Sequence, residues 1–305
     1  MKTRPLVSLL ALSTATLLAA LALTGCSSGA TGTASDGGLS IVASTSVYGD
    51  IARTVAGNAV KVTSIMNNPN QDPHSFEASA QNQLTLSKAG VVIENGGGYD
   101  DFMDTMLKSG GAKSATVINV VDLSGKKASG GQLNEHVWYD FPTVRKLTEK
   151  LVAVLSKADA AQAATFTKNG DAFVTKLTAL ENRETQLKQK FAGVGVAVTE
   201  PVPLYLLDAI GLVDKTPTAF SAAVEAGTDV SPAVLNEVIR LFVGGRVKLL
   251  AYNEQTSGPE TQEVLTAAKK AGVAIVPVTE TLPSGKDYVS WMTANLDAIA
   301  KGLAG

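Results

Sequence analysis

Several residue types that carry common protein chemistries are scarce in this chain. Its 305 residues contain one cysteine and two histidines, and aromatic residues make up 5%. A single cysteine excludes an intrachain disulfide and a zinc site built from several thiolates. The net charge of −2 and the few aromatic side chains argue against a nucleic acid as partner, because such proteins need basic surfaces and stacking platforms. The positions of the rare residues therefore carry much of the information.

The one cysteine, Cys26, closes an apolar N-terminal segment. Lys2 and Arg4 precede an apolar stretch over residues 6–23, and the residues LTGC end it. This is the pattern of a secretory signal peptide. A transmembrane helix is the alternative for so long a stretch, but serine and threonine interrupt it. LTGC resembles the lipobox of bacterial lipoproteins, which implies cleavage before Cys26 and attachment of lipid to it.

The N-terminal pattern predicts where the protein resides. Residues 1–25 are expected to be a lipoprotein signal peptide. Residues 26–39 are rich in Gly, Ser, Thr and Ala and predict a flexible tether. We expect the mature chain to be anchored by Cys26 to the extracytoplasmic face of the cell membrane.

Short apolar segments alternate with amphipathic ones along two parts of the chain. Residues 40–140 contain four strand-like segments, LSIVAST, AVKVTSIM, VVIEN and SATVINV, separated by predicted helices. Residues 193–305 contain three more, VGVAVTE, VKLLAYN and VAIVPVT, again with helices between and after them. Strands that alternate with helices of about ten residues indicate βαβ units and parallel sheets. The sequence thus predicts an N-terminal and a C-terminal α/β lobe.

Residues 141–192 differ from both lobes because they contain no strand-like segment. Apolar residues recur there at three- and four-residue steps, which predicts a helix with one buried face. A single helix over residues 158–191 would span about 50 Å, and two helices broken near Asp159 are the alternative. We predict an α/β fold of two lobes, each a mainly parallel sheet flanked by helices, joined by one long rigid helix.

Two histidines and two glutamates follow predicted strands or lie in the loops after them. They are His74, His136, Glu200 and Glu280, two in each lobe. Ligands of parallel α/β proteins bind at the loops that leave the carboxyl ends of strands. The four residues are 62, 64 and 80 positions apart, so they form no local motif such as HExxH. Spacing alone leaves open both a divalent-metal site and ordinary surface histidines and carboxylates.

Longer motifs around these residues resemble a known family. DPHSFEAS, followed by LSKAGVVIENGGGYDDFM, is similar to a signature of the solute-binding proteins of zinc and manganese ABC importers. HVWYD before a long helix resembles a second signature, and YVSWMTANLDAIAKGL resembles the C-terminal helix. The similarity extends over about residues 40–303. It implies two α/β lobes joined by one rigid helix, with a metal ion buried between them.

The resemblance also implies a ligand set. His74 and His136 match the two histidines of the N-terminal lobe. Glu200 stands at the third ligand position, which is His in zinc-type and Glu in manganese-type members. Glu280 stands at the fourth position, where the family usually has Asp. Asp208 and Glu254 are reserve candidates for the glutamate positions.

The donor types bear on the choice between Mn²⁺ and Zn²⁺ as the transported ion. Two imidazoles and two carboxylates lean towards manganese, which tolerates more oxygen donors, although zinc binds most such sites more tightly. The loop LSGKKASGGQLNEH before the second ligand lacks the extra histidines that zinc-type members often carry. The expected partners are an ABC permease and its cytoplasmic ATPase, and we expect a monomer.

Other functions remain as alternatives at this point. A binding protein of the same two-lobed class could take a siderophore or corrinoid, but it would need an aromatic, arginine-lined cleft. An extracytoplasmic metallohydrolase would carry a catalytic signature, and neither GxSxG nor HExxH is present. A surface adhesin is compatible with metal binding and is not decided by the sequence. We expect a binding protein and not an enzyme.

Overall fold

A computed structural model of the protein describes residues 39–128 and 133–305. The expected signal peptide (1–25), the lipidated Cys26 and the tether as far as residue 38 lie outside the described residues. Part of the loop before His136, residues 129–132, lies outside them as well.

Four parallel strands form the sheet of the N-terminal lobe, in the order β2-β1-β3-β4. The strands are β1 (Ser40–Thr45), β2 (Lys61–Met66), β3 (Val91–Glu94) and β4 (Thr116–Asn119). The helices are α1 (Ser46–Ala56), α2 (Ala80–Leu86), α3 (Asp101–Lys108) and α4 (Val120–Ser124). In the central strand, Ile41 lies opposite Val62 on one side and Val91 on the other. Strands β1 and β3 are apolar runs because helices cover both faces of a parallel sheet.

The sheet of the C-terminal lobe repeats this topology in the order β6-β5-β7-β8. Its strands are β5 (Gly195–Val198), β6 (Val213–Asp214), β7 (Leu249–Asn253) and β8 (Ala274–Val278). Its helices are α7 (Leu204–Ala209), α8 (Thr218–Glu225), α9 (Pro232–Val243), α10 (Pro259–Lys270) and α11 (Tyr288–Ala304). The predicted fold class is confirmed. The sequence did not predict β6 and α8, which are both short.

The segment between the sheets forms two helices, α5 (Phe141–Ala158) and α6 (Ala163–Phe191). Of the two expectations for this segment, the break near Asp159 is present, and the long helix begins at residue 163 rather than 158. The physical reason lies at Asp159, whose backbone leaves the helical region (φ −137°, ψ 86°) and whose carboxylate accepts the N–H of Ala161. Helix α6 still has 29 residues, about 44 Å at 1.5 Å per residue.

One hydrophobic core continues through both lobes. It includes Ile41 and Val91 of the first sheet, Val196 and Val276 of the second, and Leu177 of α6. Helix α6 packs against α1 on the N-terminal side and against α11 on the C-terminal side. Opening the lobes widely would expose this apolar surface, at a cost of about 25 cal/mol per Å². The fold therefore favours a nearly fixed arrangement of the two sheets.

The longest helix within residues 39–128 and 133–305 is α6, with 29 residues. Within these ranges, no helix combines the length and the apolar character needed to cross a membrane.

Candidate metal centre

His74 lies in a tight turn that follows strand β2. Residues Pro73–Ser75 form a single 3₁₀ turn, and the Asp72 carboxylate caps it by accepting the backbone N–H of His74 at 2.9 Å. Pro73 suits the first position of such a turn because its missing N–H would have no helical partner there. The His74 side chain is 25% exposed. This histidine therefore stands on the solvent side of the site.

His136 is fully buried at the start of a second 3₁₀ turn, Val137–Tyr139. Its Nδ1 lies 2.8 Å from Asn134 Oδ1, and because an amide oxygen accepts, Nδ1 is the donor. Asn134 is itself held by a 2.9 Å bond from its Nδ2 to the carbonyl of Pro201 in the C-terminal lobe. A histidine whose one nitrogen donates to a protein oxygen presents the other nitrogen to a metal ion. The orientation of His136 leaves Nε2 facing the cleft.

A run of three glycines shapes the wall beside the histidines. Gly96, Gly97 and Gly98 follow β3 after Asn95 and have φ values of 77°, 70° and 96°, a region that glycine enters without strain. The carboxylate of Asp100 fixes the turn by accepting the backbone N–H of Gly96 at 2.8 Å. The turn positions the buried Tyr99 ring 5.4 Å from the His74 ring and 5.8 Å from the His136 ring.

Glu280 brings the C-terminal lobe to the two histidines. It follows β8 by two residues and is 2% exposed. Its Oε1 accepts a 2.8 Å hydrogen bond from Asn253 Nδ2. Its Oε2 lies 3.8 Å from His74 Nε2 and 3.9 Å from His136 Nε2. Two donors bound to one ion at about 2.1 Å can be at most about 4.2 Å apart, so Glu280 can share one ion with either histidine. All three donor atoms lie within 4.8 Å of one another.

Glu200 also lies at the cleft, but one oxygen of its carboxylate is already hydrogen-bonded. It is buried two residues beyond β5, and its Oε2 accepts a 2.5 Å hydrogen bond from Asn253 Nδ2. The same amide thus holds Glu200 and Glu280 side by side. Among the described residues, the close groups of donor atoms include His74, His136 and Glu280 but not Glu200. The structure therefore brings Glu200 next to the group without making it a member.

The two reserve candidates lie elsewhere. Asp208 in α7 and Glu254 after β7 are both exposed. Neither belongs to a close group of potential ligand atoms in the described parts of the chain.

Glu225 reaches the site from helix α8 and was not predicted from the sequence. Its Oε1 lies 3.6 Å from His136 Nε2, and its side chain is 16% exposed. It also forms a second close group of donor atoms with His74 and Glu135. One sequence signal could have suggested the helix that carries it: α8 follows Pro217 and ends just before Gly227.

The ionisable groups perturb one another strongly. Burial alone would lower the pKa of His136, but its interactions with Glu280 and Glu225 outweigh burial and raise the pKa to about 9. Burial would raise the pKa of Glu280, yet the neighbouring His136 and His74 lower it. Burial, with the charge of Glu280, raises the pKa of Glu200 to about 8. Burial raises the pKa of Glu225 to about 7, although the charge of His136 opposes it. Such a crowded set of carboxylates favours a bound cation.

Three buried polar atoms converge without satisfying one another. His136 Nε2, Glu225 Oε1 and Glu280 Oε2 make no hydrogen bond within residues 39–128 and 133–305. An unpaired buried polar group costs about 1–3 kcal/mol. All three atoms are of types that bind divalent transition metals. A divalent cation beside His136 Nε2 would pair this nitrogen with a carboxylate oxygen, since Glu225 Oε1 lies 3.6 Å and Glu280 Oε2 3.9 Å away.

Comparison with known proteins identifies the family. Residues 41–302 match the family described as "Zinc-uptake complex component A periplasmic". The chain belongs to this family. Membership confirms the resemblance drawn from the sequence motifs. It also confirms that the chain is a substrate-binding component of an ABC importer and not an enzyme.

The chain is also similar to individual proteins over most of its length. The manganese ABC transporter substrate-binding lipoprotein scaA of Streptococcus gordonii is 25% identical over 94% of this chain and 96% of its own. The iron ABC transporter substrate-binding lipoprotein MtsA of Streptococcus pyogenes serotype M1 is also 25% identical, with the same coverage. The periplasmic zinc binding protein TroA from Treponema pallidum superposes with a TM-score of 0.73 at 20% identity, covering 88% of this chain and 99% of TroA.

Proposed function

We propose that this substrate-binding protein captures one divalent transition-metal ion between its lobes and delivers it to an ABC permease. In this proposal His74, His136 and Glu280 are ligands, and Glu200 is the fourth. The observation that carries it is the convergence of buried, unpaired donor atoms from both lobes, His136 Nε2 and Glu280 Oε2, with His74 Nε2 only 3.8 Å from the latter. A carrier needs its ion enclosed by protein groups, whereas a hydrolytic metal site keeps a position open for water.

We propose manganese as the preferred ion. Two carboxylates, each able to bind through one or two oxygens, allow more than the four ligands that zinc favours in closed sites. The relatives carry manganese, iron and zinc in their names, so relatedness leaves the ion open. The oxygen-rich donor set supports manganese. Zinc is the strongest competitor because it binds most ligand sets more tightly than manganese does.

We also propose where the protein is anchored and which partners receive the ion. Lipid on Cys26 would anchor a monomer to the extracytoplasmic face of the membrane, with residues 26–39 as the tether. Residues 40–140 and 193–305 would act as the two lobes, and residues 141–192 as their connection. An ABC permease with its cytoplasmic ATPase would receive the ion.

Metal content of the purified protein tests the proposal directly. Elemental mass spectrometry should find about one metal ion per chain, and the apo protein should be stabilised by added Mn²⁺, Zn²⁺ or Fe²⁺. A ligand at a hundred times its dissociation constant adds about 2.7 kcal/mol to the free energy of unfolding. A His74→Ala/His136→Ala double variant should lose both the metal and the stabilisation. Wild-type protein without metal and without stabilisation would refute the proposal and direct attention to an organic ligand such as a siderophore or corrinoid.

A further inference from the structure

Glu225 occupies a position that the ligand set above leaves unexplained. It is the last residue of α8, and its Oε1 lies 3.6 Å from His136 Nε2. The same nitrogen lies 3.9 Å from Glu280 Oε2. Two carboxylates from different parts of the C-terminal lobe thus approach one imidazole nitrogen of the N-terminal lobe.

The contact between Glu225 and His136 is too long to satisfy either atom. A hydrogen bond between nitrogen and oxygen has a length of about 2.7–3.2 Å. His136 Nε2 and Glu225 Oε1 are both buried, and neither has a hydrogen-bond partner in the described part of the chain. Because His136 itself is 0% exposed, water at the protein surface does not reach its ring. An ion between the two atoms would satisfy both.

Glu225 differs in this respect from Glu200. The Glu200 carboxylate already accepts the Asn253 amide at 2.5 Å. The inward oxygen of Glu225 has no such partner among the described residues. An oxygen that is unpaired and directed at His136 is better prepared to bind an ion than one that must keep or exchange a hydrogen bond.

Glu225 belongs to one close group of donor atoms and contacts a member of the other. Its Oε1 faces His136 of the inner group, and it forms the outer group with His74 and Glu135. Its side chain is 16% exposed, compared with 2% for Glu280. Glu225 therefore lies between the buried ligands and solvent, on the same side of the site as His74.

We propose that Glu225 is an additional ligand of the captured metal ion, which it binds from the solvent side of the site. This inference rests on the proposed metal capture. With His74, His136, Glu280 and Glu200 it would provide five donor residues, three of them carboxylates. More than four ligands rich in oxygen suit manganese better than zinc.

Substitutions at Glu225 separate ligation from a general effect of charge. We would measure the affinities of the purified full chain for Mn²⁺ and Zn²⁺ by competition with a fluorescent chelator. Glu225→Gln should weaken Mn²⁺ binding at least tenfold. Glu237→Gln, the same change at an exposed position of the neighbouring α9, should leave it unchanged. Glu225→His removes the charge but retains an atom that can bind the metal. It should therefore bind Zn²⁺ more tightly than Glu225→Gln does, while Mn²⁺ binding stays weak.

Each outcome decides one of the two proposals. Wild-type Mn²⁺ affinity in Glu225→Gln would overturn the assignment of Glu225 and leave metal capture intact. The assignment would also be overturned if Glu225→Gln and Glu225→His weakened the binding of Mn²⁺ and Zn²⁺ equally. Glu225 would then act only through its charge. Absence of metal binding in the wild-type chain would instead refute metal capture itself. Unfolding of the apo variants in urea, expected to match the wild type, checks that each remains folded.

Discussion

The hydroxyl of Tyr139 donates a 2.8 Å hydrogen bond to the backbone carbonyl of Thr279. Tyr139 ends the 3₁₀ turn that begins after His136, and Thr279 directly precedes Glu280. One hydrogen bond therefore links the histidine of one lobe to the carboxylate of the other. The relative position of two proposed ligands depends on it.

Tyr139→Phe should weaken metal binding without changing any ligand. The variant loses the bond to Thr279, worth about 0.5–1.5 kcal/mol, which loosens the alignment of His136 with Glu280. It also loses the longer bond of 3.4 Å that the hydroxyl accepts from Asn295 Nδ2. We expect the dissociation constant for Mn²⁺ to rise about two- to tenfold, as measured by chelator competition. Tyr252→Phe is the control, because among the described residues the Tyr252 hydroxyl has a partner in its own lobe alone, accepting a 2.8 Å bond from Gln262 Nε2. An equal effect of both substitutions would show that the Tyr139 bond does not align the site.

Glu200→Gln tests the remaining carboxylate of the proposed ligand set. Glutamine keeps an oxygen to accept the Asn253 amide, so the fold should be unchanged. It removes the anionic donor, and we expect Mn²⁺ affinity to fall at least tenfold. Calorimetric titration of the variant, compared with Glu263→Gln at an exposed position of α10, measures this change. Wild-type affinity would remove Glu200 from the ligands.

The sequence predicted part of this site, and the reason for the remainder is physical. His74, His136 and Glu280 were predicted and lie together, because the loops after parallel strands meet at one edge of each sheet. Glu225 was missed because α8 was missed. Its middle residues, Ser221–Ala223, are small and give little contrast between a buried and an exposed face. Its distance from His136 depends on how the two lobes face each other, which no local pattern encodes.

The break between α5 and α6 shows a similar limit of local patterns. Apolar residues continue at helical spacing on both sides of Asp159, and the periodicity alone suits one helix or two. The aspartate decides between them by bonding to the backbone two residues ahead, as Asp often does at helix starts and turns. The two helices can then fold back and pack against each other.

Gly170→Ala tests how closely α5 and α6 pack. A Cβ built on Gly170 would lie 2.5 Å from Val152 Cγ2. Alanine favours a helix by about 1 kcal/mol over glycine, but overpacking a core contact costs about 1–3 kcal/mol. We therefore expect a net loss of stability in urea unfolding. Adding Val152→Ala should relieve the overlap, so that the double variant is more stable than the sum of the two single changes predicts; simple additivity would disprove the close contact.

The buried Glu184 of α6 should make stability depend on pH. Burial, with the charges of Glu181 and Asp140, raises its pKa from 4.5 to about 8. Burial raises the pKa of Tyr288, and the charge of Glu184 raises it further. A carboxyl whose pKa is higher in the folded than in the unfolded protein favours the protonated form on folding. The loss of unfolding free energy that Glu184 causes is therefore absent below about pH 4.5. It grows as the pH rises towards 8 and is constant above that.

Glu184→Gln should remove this dependence. One pKa unit corresponds to about 1.4 kcal/mol, so the variant should match the wild type near pH 5 and exceed its stability by up to a few kcal/mol at pH 8.5. Urea unfolding at both pH values measures the difference. Glu149→Gln, at an exposed position of α5, should follow the wild type at both. If Glu184→Gln changed the stability by the same amount at pH 5 and pH 8.5, Glu184 would not have the raised pKa. Only a group that changes its protonation between these pH values makes a contribution to stability that varies with pH.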